Sequence, residues 1–508
     1  MSLAIIKSRA VLGIQAPPVT VEVHLSNGLP NFTMVGLPEA AVKESQSRVR
    51  SAIMNSGFYF YPQRITVNLG PADLPKDGGG RYDLPIAVGI LAASGQIPIE
   101  ALTDFEFVGE LALSGALRST SGILPIALQS RLAKQKLMIP KDNADEALLS
   151  GDIEIYPATS LQEIHAYFNG FSLIERYQKS LYLNDSSLSK IQEYPMDLAD
   201  VHGQMHARRA LEIAAAGGHS ILMIGPPGTG KTMLASRLSS ILPELTHEEA
   251  LEAAAVLSIS QHGFKATDWK KRPFRSPHHT ASSVALVGGG KPPKPGEISL
   301  AHQGILFLDE LPEFHQKVLE TLREPLEAGK ITISRAARQA EFPAKFQFVA
   351  AMNPCPCGYL NDPTGRCHCT KEQVQRYRRR LSGPLLDRID LHIEVPALSK
   401  GVLTQLENQP AENSHTVLAR VIKARDRQLI RQKKINADLK GKLLEKMTVL
   451  NQENKEFLEH ALQKLNLSAR AYHRVIRVAR TIADLSDSAE IILEHITEAL
   501  SYRRKVDD

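Results

Sequence analysis

The stretch Gly225-Pro226-Pro227-Gly228-Thr229-Gly230-Lys231-Thr232 follows the apolar run Ser220–Ile224 and precedes the helix-compatible MLASRLSSIL. Phosphate chemistry needs these residue types in this order. Glycines let backbone N–H groups curl around an oxyanion, and the N-terminus of the next helix adds its positive dipole. The G-x-x-x-x-G-K-[ST] spacing places the Lys231 ammonium on the β- and γ-phosphates of ATP and the Thr232 hydroxyl on its magnesium. A partner must hold the metal and activate water. Ile305–Leu308 is a buried-strand run that ends in Asp309 and Glu310, 78 residues beyond Lys231. Asp309 is expected to bind magnesium through its outer shell, and Glu310 to polarise the attacking water.

All four cysteines lie together, as Cys355-Pro-Cys357 and Cys367-His-Cys369. Four thiolates separated by one short loop can surround a tetrahedral zinc and close a knuckle. The commoner spacing is C-x-x-C, His368 is a substitute ligand, and reduced thiols in a loop are the alternative. The clustering of every cysteine favours metal, in a structural role, and excludes a disulfide framework spread through the fold.

These residues need a scaffold, and 508 residues exceed one ordinary core, so two or three domains are expected. A composition 43% hydrophobic and 23% charged is that of a globular protein. No stretch approaches the roughly 20 apolar residues of a membrane span. The start, MSLAIIKSRAVLGIQAPP, lacks the charge and apolar length of a signal peptide, so a cytoplasmic location is expected. Residues 1–175 are expected to form one α/β domain. Its strands are Val19–Leu25 and Arg64–Leu69, and its helices Ala40–Asn55 and Leu84–Ala93. A polar linker follows at 176–194, a second α/β block at 195–400, and a helical segment at 401–508. Residues 1–170 carry 13 Lys+Arg against 16 Asp+Glu, and the rest 47 against 39, a basic excess that permits a polyanionic partner.

Further along, Phe348–Met352 is a strand ending in Asn353, and Leu385-Leu-Asp precedes Arg388. The order GPPGTGKT, LFLDE, Asn353, Arg388 resembles the AAA+ ATPases. FRSPHHT (274–280), GGGKPPKPGEISLAHQGILFLDELPEF (288–314), AAMNPCPCG (350–358) and RTIAD (480–484) narrow the likeness to magnesium-chelatase-like ATPases of the ComM/YifB type. That likeness covers nearly the whole chain. It implies that Asn353 is the sensor that positions the water and that Arg388 is a finger reaching a neighbouring subunit's γ-phosphate. It also implies that Arg470 in LSARAY is a lid sensor, with Arg474, Arg477 and Arg480 as rivals. From the residues alone, Asn353 could merely begin a loop, and Arg388 could be a surface ion pair between Asp387 and Asp390. The chemistry favours the finger, which is worth about 10³-fold or more in rate.

Ala72–Ala93 and Gly109–Glu146 resemble the Lon-type protease domain, which uses a Ser–Lys dyad. Here KDGGGRYD puts Gly80 near the serine position, and GILP puts Leu124 or Pro125 where the lysine belongs. Without a nucleophile there is no acyl-enzyme chemistry, and a binding or ring-scaffolding role is expected. Ser119, Ser121 and Lys76 are the conceivable replacements. The implied fold class is α/β: a Lon-protease-like, ribosomal S5 domain 2-like α/β domain, then a P-loop AAA+ α/β core with a helical lid.

Two segments suit a nucleic-acid track. Val287–Gly296 is glycine- and proline-rich and carries Lys291 and Lys294. Lys330–Ala344 alternates as a strand, turns near Arg335–Arg338 and returns. Lysines and arginines there would hold phosphates without reading sequence, and ordinary solvated loops are the alternative. The basic run Arg420–Lys434 is expected to be a solvated helix face, and His278-His279 a structural or nucleotide-linked pair. The resemblance implies a homohexameric, ATP-driven DNA translocase or helicase working on single-stranded and branched DNA in recombination and transformation. The alternative is an ATPase remodelling a protein complex for metal insertion.

Overall fold

The computed structural model describes residues 2–36, 44–74, 76, 79–178, 196–260, 263–290, 293–335, 338–361, 364–397, 411–465 and 467–503. Most of the expected linker, residues 179–195, lies outside them.

The first sheet is built from β1 (Ser2–Arg9), β2 (Pro18–Ser26), β3 (Asn31–Val35), β4 (Arg64–Gly70) and β5 (Phe105–Phe107). A short ribbon, β6 (Glu110–Leu111) with β7 (Leu117–Arg118), stands apart from it, and β8 (Lys136–Pro140) and β9 (Ile155–Ala158) complete it. The order is β3-β4-β2-β1-β5-β8-β9, with antiparallel pairs around β2 and parallel ones elsewhere. Alternation in β2 and β4 sends Val21, Val23, Val67 and Leu69 inward. Burying each such side chain stabilises by about 1.5–3 kcal/mol. They meet the helix Asp83–Ala93, buried along its whole length. The helix expected at Ala40–Asn55 spans Ser45–Asn55 among the described residues, and Val42 lies outside them.

The second sheet is entirely parallel. Its strands are β10 (Ile221–Ile224), β11 (Phe274–Arg275), β14 (Ile305–Leu308), β17 (Gln347–Met352) and β18 (Leu391–Glu394). Their order is β11-β14-β17-β10-β18. Continuous apolar runs such as ILMI and ILFL suit strands covered on both faces. Two hairpins stand off this sheet: β12 (Gly288–Gly289) with β13 (Lys294–Pro295), and β15 (Lys330–Arg335) with β16 (Arg338–Pro343). They touch, because a Cβ on Gly288 at the base of the first would lie 2.8 Å from Ile333 Cδ1 of the second.

Helices Ser414–Gln432 and Ala469–Leu485 do not form a separate core. Val417, Val421, Val475 and Ile482 join Ile221, Ile305 and Val349 of the second sheet in one apolar cluster. Of the basic run expected to be a solvated face, Lys423, Lys433 and Lys434 are exposed, while Arg420, Arg427 and Arg431 are drawn into ion pairs. Arg420 pairs with Glu212 and Glu412, Lys423 and Arg427 pair with Asp487, and Arg431 grips Asp484 at 2.6 Å. The apolar face of Ser414–Gln432 packs on the helices Met205–Gly217 and Ala469–Leu485, and these cations reach the carboxylates that flank that packing.

The first sheet's unit touches the second directly. Leu124 and Leu149 pack on Ala254 and Ala255 of the helix His247–Ser258, and Gly122 N–H donates to the Ser258 carbonyl at 3.0 Å. The turn Leu12–Gln15 lies against β16: Gly13, at φ +59°, would set a Cβ 2.8 Å from the Glu341 carbonyl oxygen. No helix among the described residues is long and apolar enough to cross a membrane.

Candidate functional site

Parallel strands deliver their C-terminal ends to one edge, where α/β sheets bind ligands. Here β10 runs into Gly225, β14 into Asp309-Glu310 and β17 into Asn353. The pairings Ile224↔Met352 and Leu308↔Ala350 keep the three exits level. β17 lies between β10 and β14, so Asn353 emerges between the phosphate loop and the acidic pair.

The loop has the backbone an oxyanion cradle needs. Gly228 and Gly230 sit at φ +77° and +83°, a region that side chains avoid. Gly225 admits no Cβ, which would fall 2.1 Å from the Val395 carbonyl. Gly230 caps the helix Lys231–Arg237, and Gln204, itself at φ +46°, donates to the Thr229 carbonyl at 2.8 Å. Lys231 Nζ donates to the carbonyls of Gly225 (2.7 Å) and Pro226 (2.8 Å) and to Asn353 Oδ1 (3.2 Å). All three of its protons are therefore spoken for. Burial pushes this ammonium below its ordinary pKa, against the opposing pull of Asp309 and Glu310. Thr232 Oγ1 donates to Asp309 Oδ2 at 2.6 Å, which brings the two oxygens expected to share magnesium into contact.

Glu310 is held at φ +52°, an uncommon conformation for a side-chain-bearing residue. Its carboxylate Oε2 lies 3.1 Å from His279 Nδ1. His279 in turn stacks near His278, with ring centroids 4.1 Å apart. The histidine pair thus touches the phosphate-site edge through Glu310.

Arg388 stands on the opposite side of the sheet. Ile221 pairs with Leu391, so Arg388 precedes β18 at the N-terminal edge, where its carbonyl accepts from Ser220 Oγ. The four residues of β10 at ~3.3 Å each separate that edge from the phosphate loop by about 13 Å. Asp387 and Asp390 are not its partners: the guanidinium pairs with Glu327, and its Nε has no partner among the described residues. Asp390 is taken by others. Its burial opposes ionisation, but His219, Arg474 and Arg477 overcome that and hold its carboxyl well below the usual carboxylate range. Arg388, Arg470, Arg474 and Arg477 line one cleft of about 860 Å³. Arg470 is exposed there, whereas Arg480 is buried against Asp484.

The four cysteines converge. Their Sγ atoms lie within 4.8 Å of one another, with Cys355–Cys357 at 3.4 Å, Cys357–Cys367 at 3.6 Å and Cys355–Cys367 at 3.8 Å. Zn–S bonds of about 2.3 Å in a tetrahedron place sulfurs about 3.8 Å apart, so the spacing fits a zinc centre completed by Cys369.

Of the track residues, Lys294 is exposed on β13, and Lys291 lies outside the described residues. Arg335 and Arg338 face each other in backbone register at the end of the β15–β16 hairpin. In the first unit, a side chain at Gly80 would strike Glu110 at 2.3 Å, and Leu124 is buried. Lys76 is buried and donates to the Pro71 carbonyl, whereas Ser119 and Ser121 are exposed. Sequence reasoning missed Gln204, Gly358 and the bond from His279 to Glu310. Gly358 carried a signal as the glycine closing CPCG, and the adjacent His278-His279 hinted at a nucleotide link without naming Glu310 as its partner.

The family described as "Magnesium chelatase, subunit ChlI" matches residues 197–403, "Subunit ChlI of Mg-chelatase" matches 21–143, and "Magnesium chelatase, subunit ChlI C-terminal" matches 411–503. Competence protein ComM of Haemophilus influenzae is 54% identical over 506 residues, covering 100% of this chain and 98% of that one. The uncharacterized protein YifB of Salmonella typhimurium is 52% identical over 503 residues, covering 99% and 97%. Lon protease 2 of Bacillus subtilis is 24% identical over 168 residues, 32% of this chain and 30% of its own.

Proposed function

The chain belongs to the magnesium-chelatase-like AAA+ ATPases of the ComM/YifB type, and on that footing we propose that it is a ring-shaped, ATP-driven DNA translocase. It works in the cytoplasm on single-stranded and branched DNA, promoting branch migration in recombination and natural transformation. The observation that carries this reading is the placement of Arg388. A finger at the sheet edge opposite its own phosphate loop serves no triphosphate of its own chain, so the catalytic centre is completed between subunits. A competence protein 54% identical along the whole chain supports the role in DNA uptake.

In this reading Lys231 exchanges its three internal bonds for β- and γ-phosphate oxygens; Thr232 and Asp309 are the residues that would hold magnesium, which would supply neutralisation of phosphate charge. The backbone N–H groups of Pro227–Thr232 other than the proline cradle the phosphates. Asn353 orients the water and Glu310 receives its proton. Arg388 and Arg470, lining one cleft, meet the neighbour's γ-phosphate together. Strand displacement on forked and Holliday-type DNA, with and without ATP, tests the proposal. DNA-stimulated hydrolysis upholds it; stimulation by a protein or porphyrin partner alone would replace it with the complex-remodelling reading.

Zinc on Cys355, Cys357, Cys367 and Cys369 belongs to the same proposal. Elemental analysis of reduced protein is expected to find about one zinc per chain, lost in the Cys355→Ser/Cys357→Ser variant. Metal-free protein of equal activity and stability would remove the site.

The two lysines of the segment 287–296 give a further test. Alanine at Lys291 and Lys294 is expected to weaken DNA binding similarly across sequences and to flatten its salt dependence, by about 1 in log–log slope for each phosphate no longer held. Basal hydrolysis should persist while DNA stimulation and strand separation fall together. Normal unwinding by this variant would dissociate that segment from the track.

A further inference from the structure

The thiolate knuckle and the phosphate loop touch at one point. Gly358 closes the turn after Cys357, its N–H donating to the Cys355 carbonyl at 3.0 Å. It sits at φ +86°, and a Cβ built there would lie 2.6 Å from Pro227 Cδ, 3.2 Å from Pro227 Cγ and 3.8 Å from Asn353 Cγ. Gly358 is therefore a wedge without a side chain, seated between the proline ring of the phosphate loop and the residue that bonds Lys231. Cys355 beside it is fully buried, so the turn has no room to yield on its inner side. We propose that the four-cysteine metal knuckle is the wall of the nucleotide site, with Gly358 the positioning residue through which it sets Pro227 and Asn353.

This inference rests on the zinc reading above and adds a consequence to it. A metal that only closed a loop would leave ATP affinity indifferent to its removal. A metal that fixes the wall makes the loop's geometry depend on four intact thiolates, so loss of zinc frees Gly358 from Pro227 and spoils the cradle.

The same loop supplies its own control. Gly365 is also left-handed, at φ +71°, but a Cβ there meets nothing within 4 Å. Gly358→Ala and Gly365→Ala thus impose a similar backbone penalty, and only the first adds a collision. Gly358→Ala is expected to weaken ATP binding by about tenfold or more with zinc kept at one per chain, and Gly365→Ala to change it by less than about twofold. Pro227→Ala removes the very atoms struck, so adding it to Gly358→Ala is expected to recover much of the affinity, which a merely misfolded Gly358→Ala protein would not do. Full-length protein stripped of zinc under reducing conditions is expected to lose ATP affinity and regain it with zinc alone.

The inference is overturned if zinc-replete Gly358→Ala binds ATP as the parent does, if Gly365→Ala is equally impaired, if Pro227→Ala gives no recovery, or if stripped protein binds ATP normally. Purified parent protein without zinc would sink the metal reading instead, and the pairing of Gly358→Ala with Pro227→Ala would still decide whether the knuckle walls the site.

Discussion

Lys231→Ala is expected to abolish measurable ATP binding and to lower turnover by about 10²–10³-fold or more, the scale of removing one charged group aimed at developing charge in a closed site. The ammonium is the only cation among the described residues that bonds the phosphate loop itself, through Gly225 and Pro226. Its loss also unties Asn353, to which it donates. Glu310→Gln should separate binding from chemistry: the amide leaves the loop and Lys231 intact but cannot take water's proton, so ATP binds and persists. Binding by nucleotide fluorescence and turnover by phosphate release check both. Hydrolysis at the parental rate by either variant would displace the phosphate-site assignment.

Arg388→Ala is expected to cost about 10³-fold in turnover while ATP still binds. The defect should be curable by a partner that is itself dead. Arg388→Ala subunits keep Lys231, and Lys231→Ala subunits keep Arg388. Random equal mixing therefore places an intact phosphate loop opposite an intact finger at about one head-to-tail interface in four. Turnover should rise well above either variant alone and vary with the mixing ratio. Mixed rings without recovery would contradict a finger acting across the interface. The sheet gives the reason for expecting it: Arg388 and the phosphate loop leave opposite ends of neighbouring strands.

What sequence could show follows from how local each signal is. GPPGTGKT after SILMI and the acidic pair after ILFL are each complete within one short contiguous stretch, and strand, turn and helix stand where those patterns place them. The alternation in Lys330–Ala344 likewise becomes a hairpin. The order of strands is a different kind of fact. That β17 lies between β10 and β14, putting Asn353 against Lys231, arises from pairing between segments distant in the chain, β10 and β17 foremost. The bond from His279 to Glu310 and the contact of Gly358 with Pro227 are likewise made only by the fold, not by any local pattern. The basic helix Ser414–Gln432 was legible only in part. Lys and Arg suggest water, but acidic partners on Met205–Gly217 and Ala469–Leu485 become visible only once the helices pack. The first unit's absent dyad was legible as missing residues, while the use made of the space was not: Leu124 now seats the unit on the ATPase block.

A two-stranded ribbon is compliant when it stands alone. The β15–β16 hairpin does not stand alone, for the turn at Gly13 abuts Glu341 on its second strand with no side chain between them. Backbone against backbone is a stiff bearing, so thrust applied at the hairpin's end passes into the seven-stranded sheet rather than bending the ribbon. The first sheet's unit thereby acts as an anvil: its mass and its closed core give the hairpin something to push against.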